Sequence, residues 1–122
     1  VVSGELSAQV KSEEREEWER SGWLIEESRS KPGIIKKLPW SHMIDRQKYD
    51  LLEKINKLTM PVLLIVGEKD DSTPSEHQKI LYNALTDSKE LHIIKDAPHT
   101  FREQKHLEEI KQILNQWIIK LK

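Results

Sequence analysis

The chain is 122 residues long, carries 20 basic against 21 acidic side chains for a net charge of -1, and has no cysteine. A chain of this size buries about two-thirds of its unfolded surface, enough for one modest core. The balanced charge gives nucleic-acid binding no support. No apolar run reaches the about 20 residues of a membrane span, and the missing cysteines exclude a disulfide scaffold and fit a reducing, cytoplasmic setting.

Residues 5–48 are polar and broken. Ser12 is placed to cap a short helix running to Arg20, with Glu13 and Glu14 against its positive end. Between Lys11 and Glu17 there is no apolar side chain, so this helix is expected to be mostly solvated and to touch the body through Val10 and Trp18. Gly22, Pro32, Gly33 and Pro39 then interrupt any long element. Three of the four tryptophans, Trp18, Trp23 and Trp40, fall in this segment.

The remainder is regular. Asp50-Leu51-Leu52-Glu53 has the form of a capping box and starts a short helix to about Lys57. Met60-Pro61 blocks its continuation and launches a strand through Val66, apolar on both faces. Thr73-Pro74-Ser75-Glu76 is a second capping box with proline at the first helical position, leading a helix that presents Ile80, Leu81, Ala84 and Leu85. A second strand spans Glu90 to Lys95. Leu107, Ile110, Leu114, Trp117, Ile118 and Leu121 then form the apolar stripe of a closing helix, expected to pack on the sheet with Trp117 in the core.

An apolar run that stops at Gly67 predicts a buried strand of a parallel sheet. In open α/β sheets, ligand and reacting groups lie just beyond the carboxyl ends of such strands. Asp70 follows the first strand and His99 the second. An acid and a histidine leaving neighbouring strand ends form the arrangement in which a carboxylate orients an imidazole base. Purely structural roles stand beside this: Asp70 as a turn former after Gly67, and His99 as a loop histidine bonded to backbone. Asp71 reads as a turn residue or as the acid in place of Asp70.

Gly67-x-x-Asp70-x-x-Thr73-Pro74 and Ala97-x-His99-x-Phe101, in a strand–helix–strand–helix frame, resemble the C-terminal part of the α/β-hydrolase superfamily over residues 51–122. The order, acid then histidine, is that of the family's Ser…Asp/Glu…His triad. Lys48-Tyr49-Asp50-Leu51-Leu52 running into Pro61 is most similar to the small esterases related to feruloyl and cinnamoyl esterases. The resemblance implies an α/β fold class: the C-terminal portion of an α/β-hydrolase fold, parallel strands with flanking helices, plus a helical lid-like segment. Residues 1–49 would hold the end of a strand, Val1-Val2-Ser3, and the lid, and residues 50–122 the core with its acid and histidine loops. Under the lid, Trp23 and Trp40 would bind substrate, or else they pin a loosely structured segment to the body.

The family's nucleophile sits in a Gly-x-Ser-x-Gly elbow. None of Gly4, Gly22, Gly33 or Gly67 is followed two residues later by serine, and no His-Gly-Gly oxyanion segment occurs. The chain therefore reads as part of a serine hydrolase acting on small carboxylic esters, contributing the Asp70–His99 pair while the serine lies elsewhere. The alternative is a catalytically inactive truncated domain that serves as a folding or interaction module. The expected partners are the N-terminal half of the same hydrolase or a second copy of the chain, because the strands lack neighbours and an open sheet edge invites association. No cofactor is implied. Asp96, His99, His92 and His106 match no metal-ligand spacing. A receiver-like reading of Asp70-Asp71 fails because only one further strand follows.

Overall fold

A computed structural model of the protein describes residues 12–28 and 30–122. The expected strand end at Val1–Ser3 and the contact through Val10 lie outside those residues. The described chain divides into two compact units, one ending at Leu51 and one running from Leu52 to Lys122. Among the described residues no helix is long and apolar enough to cross a membrane.

The first unit opens with helix α1 (Ser12–Ser21), followed by strands β1 (Trp23–Glu27) and β2 (Ile35–Pro39) and helix α2 (Trp40–Arg46). The glycines that interrupt this segment in the sequence turn out to bracket and close a hairpin. Gly22 at φ 81° separates α1 from β1, and Gly33 at φ 86° lies in the hairpin loop, both in the left-handed region that glycine enters without steric cost. The strands pair antiparallel with Leu24 opposite Leu38 and Glu26 opposite Lys36. The first pair packs with Trp40 on the buried side chains of Trp18 and Met43. The indole N–H of Trp18 donates to the Leu38 carbonyl at 3.0 Å. One tryptophan thus anchors an otherwise solvated helix, and the described part of the segment combines two helices with a hairpin in one compact unit.

In the second unit, a 3₁₀ helix (Leu52–Lys57) precedes β3 (Val62–Gly67), α3 (Ser75–Ala84), β4 (Lys89–Ile94) and α4 (Gln104–Leu121). β3 and β4 are parallel, with Val62 opposite Lys89 and Gly67 opposite Ile94. Lys89 and Glu90 are consecutive in a strand, so they point to opposite faces. The Lys89 ammonium donates to the carbonyls of Tyr82 (2.9 Å) and Leu85 (2.8 Å) at the end of α3, where a cation also suits the helix dipole. Glu90 accepts from Lys120 of α4. The two helices therefore cover opposite faces of the strand pair. Buried Ile94, Ala97 and Ile113 form the core with Leu63, Ile65, Phe101 and Ile110.

Two sequence expectations change here. The Thr73 capping box does not form: α3 begins at Ser75 with Pro74 as N-cap and no side-chain cap, because the Thr73 hydroxyl is bound elsewhere. The closing helix docks by a different row. His106 and Ile113 are buried and Ile110 and Trp117 partly so, while Leu107, Leu114, Ile118 and Leu121 remain 39–48% exposed. Two strands give a surface wide enough for one row of a helix, so the flanking part of the stripe is left over. His106 sits in that docked row with neither ring nitrogen hydrogen-bonded.

Candidate active site

β3 ends at Gly67, and the chain turns at once: the Asp70 N–H donates to the Gly67 carbonyl at 3.1 Å. The turn delivers the Asp70 carboxylate into the loop that follows, where it is the organising acceptor. Oδ1 takes the backbone N–H groups of Ser72 (2.9 Å) and Thr73 (2.8 Å). Oδ2 takes the Thr73 hydroxyl at 2.9 Å and meets His99 Nδ1 at 2.8 Å. Burial of Asp70 opposes its ionisation, but the Thr73 N–H, the His99 ring, the Thr73 hydroxyl and the Ser72 N–H outweigh it and hold its carboxyl below the usual aspartate range.

An ionised carboxylate can only accept. The short contact therefore requires the proton on His99 Nδ1, which leaves the lone pair on Nε2 in the neutral ring. The Thr73 hydroxyl oxygen, 3.4 Å from Nδ1, is a second and weaker neighbour of the same proton. Asp70 keeps 4% of its side-chain surface exposed against 53% for His99, so the pair is anchored at the acid and open at the imidazole.

The histidine loop explains the spacing Ala97-x-His99-x-Phe101. Ala97 is fully buried and Phe101 packs on the same core. With both flanking positions pinned inward, His99 between them is presented outward. The loop crosses directly over the end of β3: a Cβ at Gly67 would lie 2.3 Å from the Ala97 carbonyl oxygen and 2.6 Å from that of Pro98. Only a residue without a side chain lets the two loops meet this closely.

Asp70 and His99 are thus brought together within the second unit, and the carboxylate that His99 meets is that of Asp70. Trp23 and Trp40 belong to the first unit. Trp40 packs edge-on to Trp18 with ring centroids 5.6 Å apart, a role in that unit's core. Trp23 is half exposed and lines an open groove of about 780 Å³ with Trp18, Leu24 and Ile25. Thr73 was legible as part of the motif but not as a partner of Asp70. Its signal was its place three residues after an aspartate in a turn, where serine and threonine bond locally. Among the described residues no three His, Asp or Glu side chains gather as metal ligands.

The family model described as PhoPQ-activated pathogenicity-related protein matches residues 35–122. Among solved structures, the chain is similar to mouse alpha/beta hydrolase domain-containing protein 10 at 22% identity and a TM-score of 0.78, covering 100% of this chain and 50% of that one. It is similar to a putative hydrolase from Agrobacterium vitis S4 at 18% identity and a TM-score of 0.67, over 88% of this chain and 41% of that one. Est1E from Butyrivibrio proteoclasticus, in a structure with ferulic acid bound, matches at 19% identity and a TM-score of 0.63, over 81% and 36%. No curated protein matches in sequence. The chain spans half or less of the length of these solved relatives, and it shares with them the α/β-hydrolase fold.

Proposed function

The chain belongs to the family of PhoPQ-activated pathogenicity-related proteins and has an α/β-hydrolase fold, and from that premise we propose that it is the acid- and histidine-bearing part of a serine hydrolase acting on carboxylic esters. The observation that carries this reading is the 2.8 Å contact between Asp70 Oδ2 and His99 Nδ1 beyond the ends of adjacent parallel strands. With Nδ1–H held by the carboxylate, Nε2 is the basic nitrogen. It would take the proton of an attacking serine hydroxyl as the oxygen bonds to the ester carbonyl, and return that proton to the departing alkoxide. Water would then repeat the sequence in reverse roles and release the acid. Asp70 stabilises the imidazolium throughout without taking the proton itself.

The serine and the oxyanion donors have to come from outside these 122 residues, which contain no Gly-x-Ser-x-Gly. Hydroxycinnamate esters are the finer substrate proposal, supported by the Lys48–Leu52 pattern and by the likeness to an esterase that binds ferulic acid. The same missing serine favours a second reading, a module without turnover of its own.

The test is co-expression of the chain with the segment encoded upstream of it. Turnover of an activated ester, absent from the chain alone and abolished by His99→Ala in the pair, supports the hydrolase. An upstream segment without Gly-x-Ser-x-Gly, or turnover that survives His99→Ala, refutes it. Faster release of ferulate than of acetate from matched aryl esters would support the finer assignment.

A further inference from the structure

Between the two strands and the Asp70–His99 pair lies a set of contacts that the chemistry described above does not use. Asp96, the turn residue three positions before His99, has φ 60°, in the left-handed region that costs most side chains energy and that aspartate tolerates better than most. Its N–H donates to Glu68 Oε2 at 2.8 Å, and its carboxylate meets the Lys69 ammonium at 3.1 Å. Backbone bonds run beside these: Glu68 N–H to the Ile94 carbonyl and Lys69 N–H to the Ala97 carbonyl, each at 2.9 Å. Glu68 and Lys69 immediately precede Asp70. The turn out of β3 is therefore fastened to the turn out of β4 within one to three residues of the member of the pair that each delivers.

The parts of this clasp differ in weight. Lys69 and Asp96 are well exposed (65% and 49%), and an ion pair so placed contributes little. The Glu68 carboxylate does something no backbone group does. It satisfies the N–H of a residue in strained geometry, and that geometry decides where the chain points as it leaves β4 for His99. Glu68 is itself exposed and fills no core position, so packing does not account for it.

We infer that Glu68 is a positioning residue: by accepting the Asp96 N–H it fixes the left-handed turn that sets His99 Nδ1 against Asp70 Oδ2. The inference rests on the acid–histidine reading above, and the same measurement separates the two. The ring ¹⁵N shifts of His99 in the 122-residue chain, recorded where the ring is neutral, report which nitrogen carries the proton. Wild type should show the Nδ1–H form. Asp70→Asn keeps an oxygen for the Ser72 and Thr73 N–H groups but turns an NH₂ toward the ring, so the proton should move to Nε2. Glu68→Ala should lose the Nδ1–H preference, and Glu68→Gln, which retains an acceptor oxygen, should restore it. Glu68→Ala with wild-type tautomers while Asp70→Asn switches them would overturn the clasp and leave the pair standing. Failure of Glu68→Gln to rescue would also overturn it. Wild type and Asp70→Asn with the same tautomer would remove the acid–histidine reading, and the clasp with it.

Discussion

Gly67 lies directly beneath the Ala97 carbonyl, so close that a β-carbon at position 67 would stand 2.3 Å from that oxygen. Both partners of this contact are backbone, which cannot swing aside as the end of a long side chain can. Gly67→Ala should therefore displace the histidine loop and lower stability by about 1–3 kcal/mol, the range of overpacked cores. A shift of the urea midpoint, together with loss of the Nδ1–H form of His99, would report both effects. An alanine variant with wild-type stability and tautomer would mean that the loop can rise over the strand end freely.

Thr73 offers its hydroxyl and its N–H to different oxygens of Asp70. Thr73→Val keeps the N–H and the side-chain shape but removes the hydroxyl. We expect a loss of about 0.5–1.5 kcal/mol, the net worth of one such bond. The His99 proton also loses its second neighbour, so ring-proton exchange with water should quicken. If equilibrium urea unfolding finds Thr73→Val as stable as wild type, the hydroxyl is not a support of the acid.

The depressed ionisation of Asp70 makes stability depend on pH in a defined direction. Burial resists the charge, and four hydrogen bonds outweigh it. The folded carboxyl then binds its proton less readily than the unfolded one, whose value is about 3.9. Between the two values the unfolded state holds more protons, so stability falls as pH drops through that window. The contribution is complete above the unfolded value and disappears below the folded one. Wild type should therefore exceed Asp70→Asn in stability at neutral pH, and the gap should narrow progressively as pH falls from above the unfolded value through it toward the lower folded one. A gap that is constant with pH would assign the difference to packing.

Much of the second unit was legible because its signals are local. The apolar run ending at Gly67, the helix signals after Pro74 and the spacing about His99 each follow from chain geometry, and the two strands lie within one residue of the expected bounds. The hairpin in the first unit was not legible. Its strands, Trp23–Glu27 and Ile35–Pro39, are short and carry charges among apolar residues, and their pairing rests on Trp18 and Met43 packing from helices on either side in the chain. The Thr73 capping box failed for a related reason. A threonine hydroxyl cannot serve both a helix end and a neighbouring carboxylate, and the sequence pattern alone does not rank the two. The docked row of α4 depended on sheet width, which periodicity does not report.

At His106 sequence and structure disagree about polarity. It is 2% exposed in the first turn of α4, and both ring nitrogens lack a hydrogen-bond partner. A buried polar group left unsatisfied costs about 1–3 kcal/mol. His106→Leu, similar in bulk and without that cost, should raise stability by about 1–3 kcal/mol, read as a higher urea midpoint at unchanged slope. A destabilised His106→Leu would show that the imidazole gains more from its surroundings than its missing hydrogen bonds take away.

The row that α4 leaves outside points to association. Leu114, Ile118 and Leu121 are 39–48% exposed along one side of the helix, and Ile119 beside them is 70% exposed. Among the described residues β3 and β4 each pair only with the other. A two-stranded sheet with apolar strands is marginal in water without further cover. We expect the isolated chain to associate with itself at micromolar concentration, since burying such a face is worth roughly 25 cal/mol per Å² removed from water. Sedimentation velocity over a concentration series should show the weight-average coefficient rising with concentration. Leu114→Lys combined with Ile118→Lys should return it to that of a monomer, because two ammonium groups cannot be buried unpaired in such a contact. Circular dichroism of the double variant would verify that it remains folded. A wild-type chain that stays monomeric throughout and binds no apolar dye would mean that these side chains are adequately covered within a single copy.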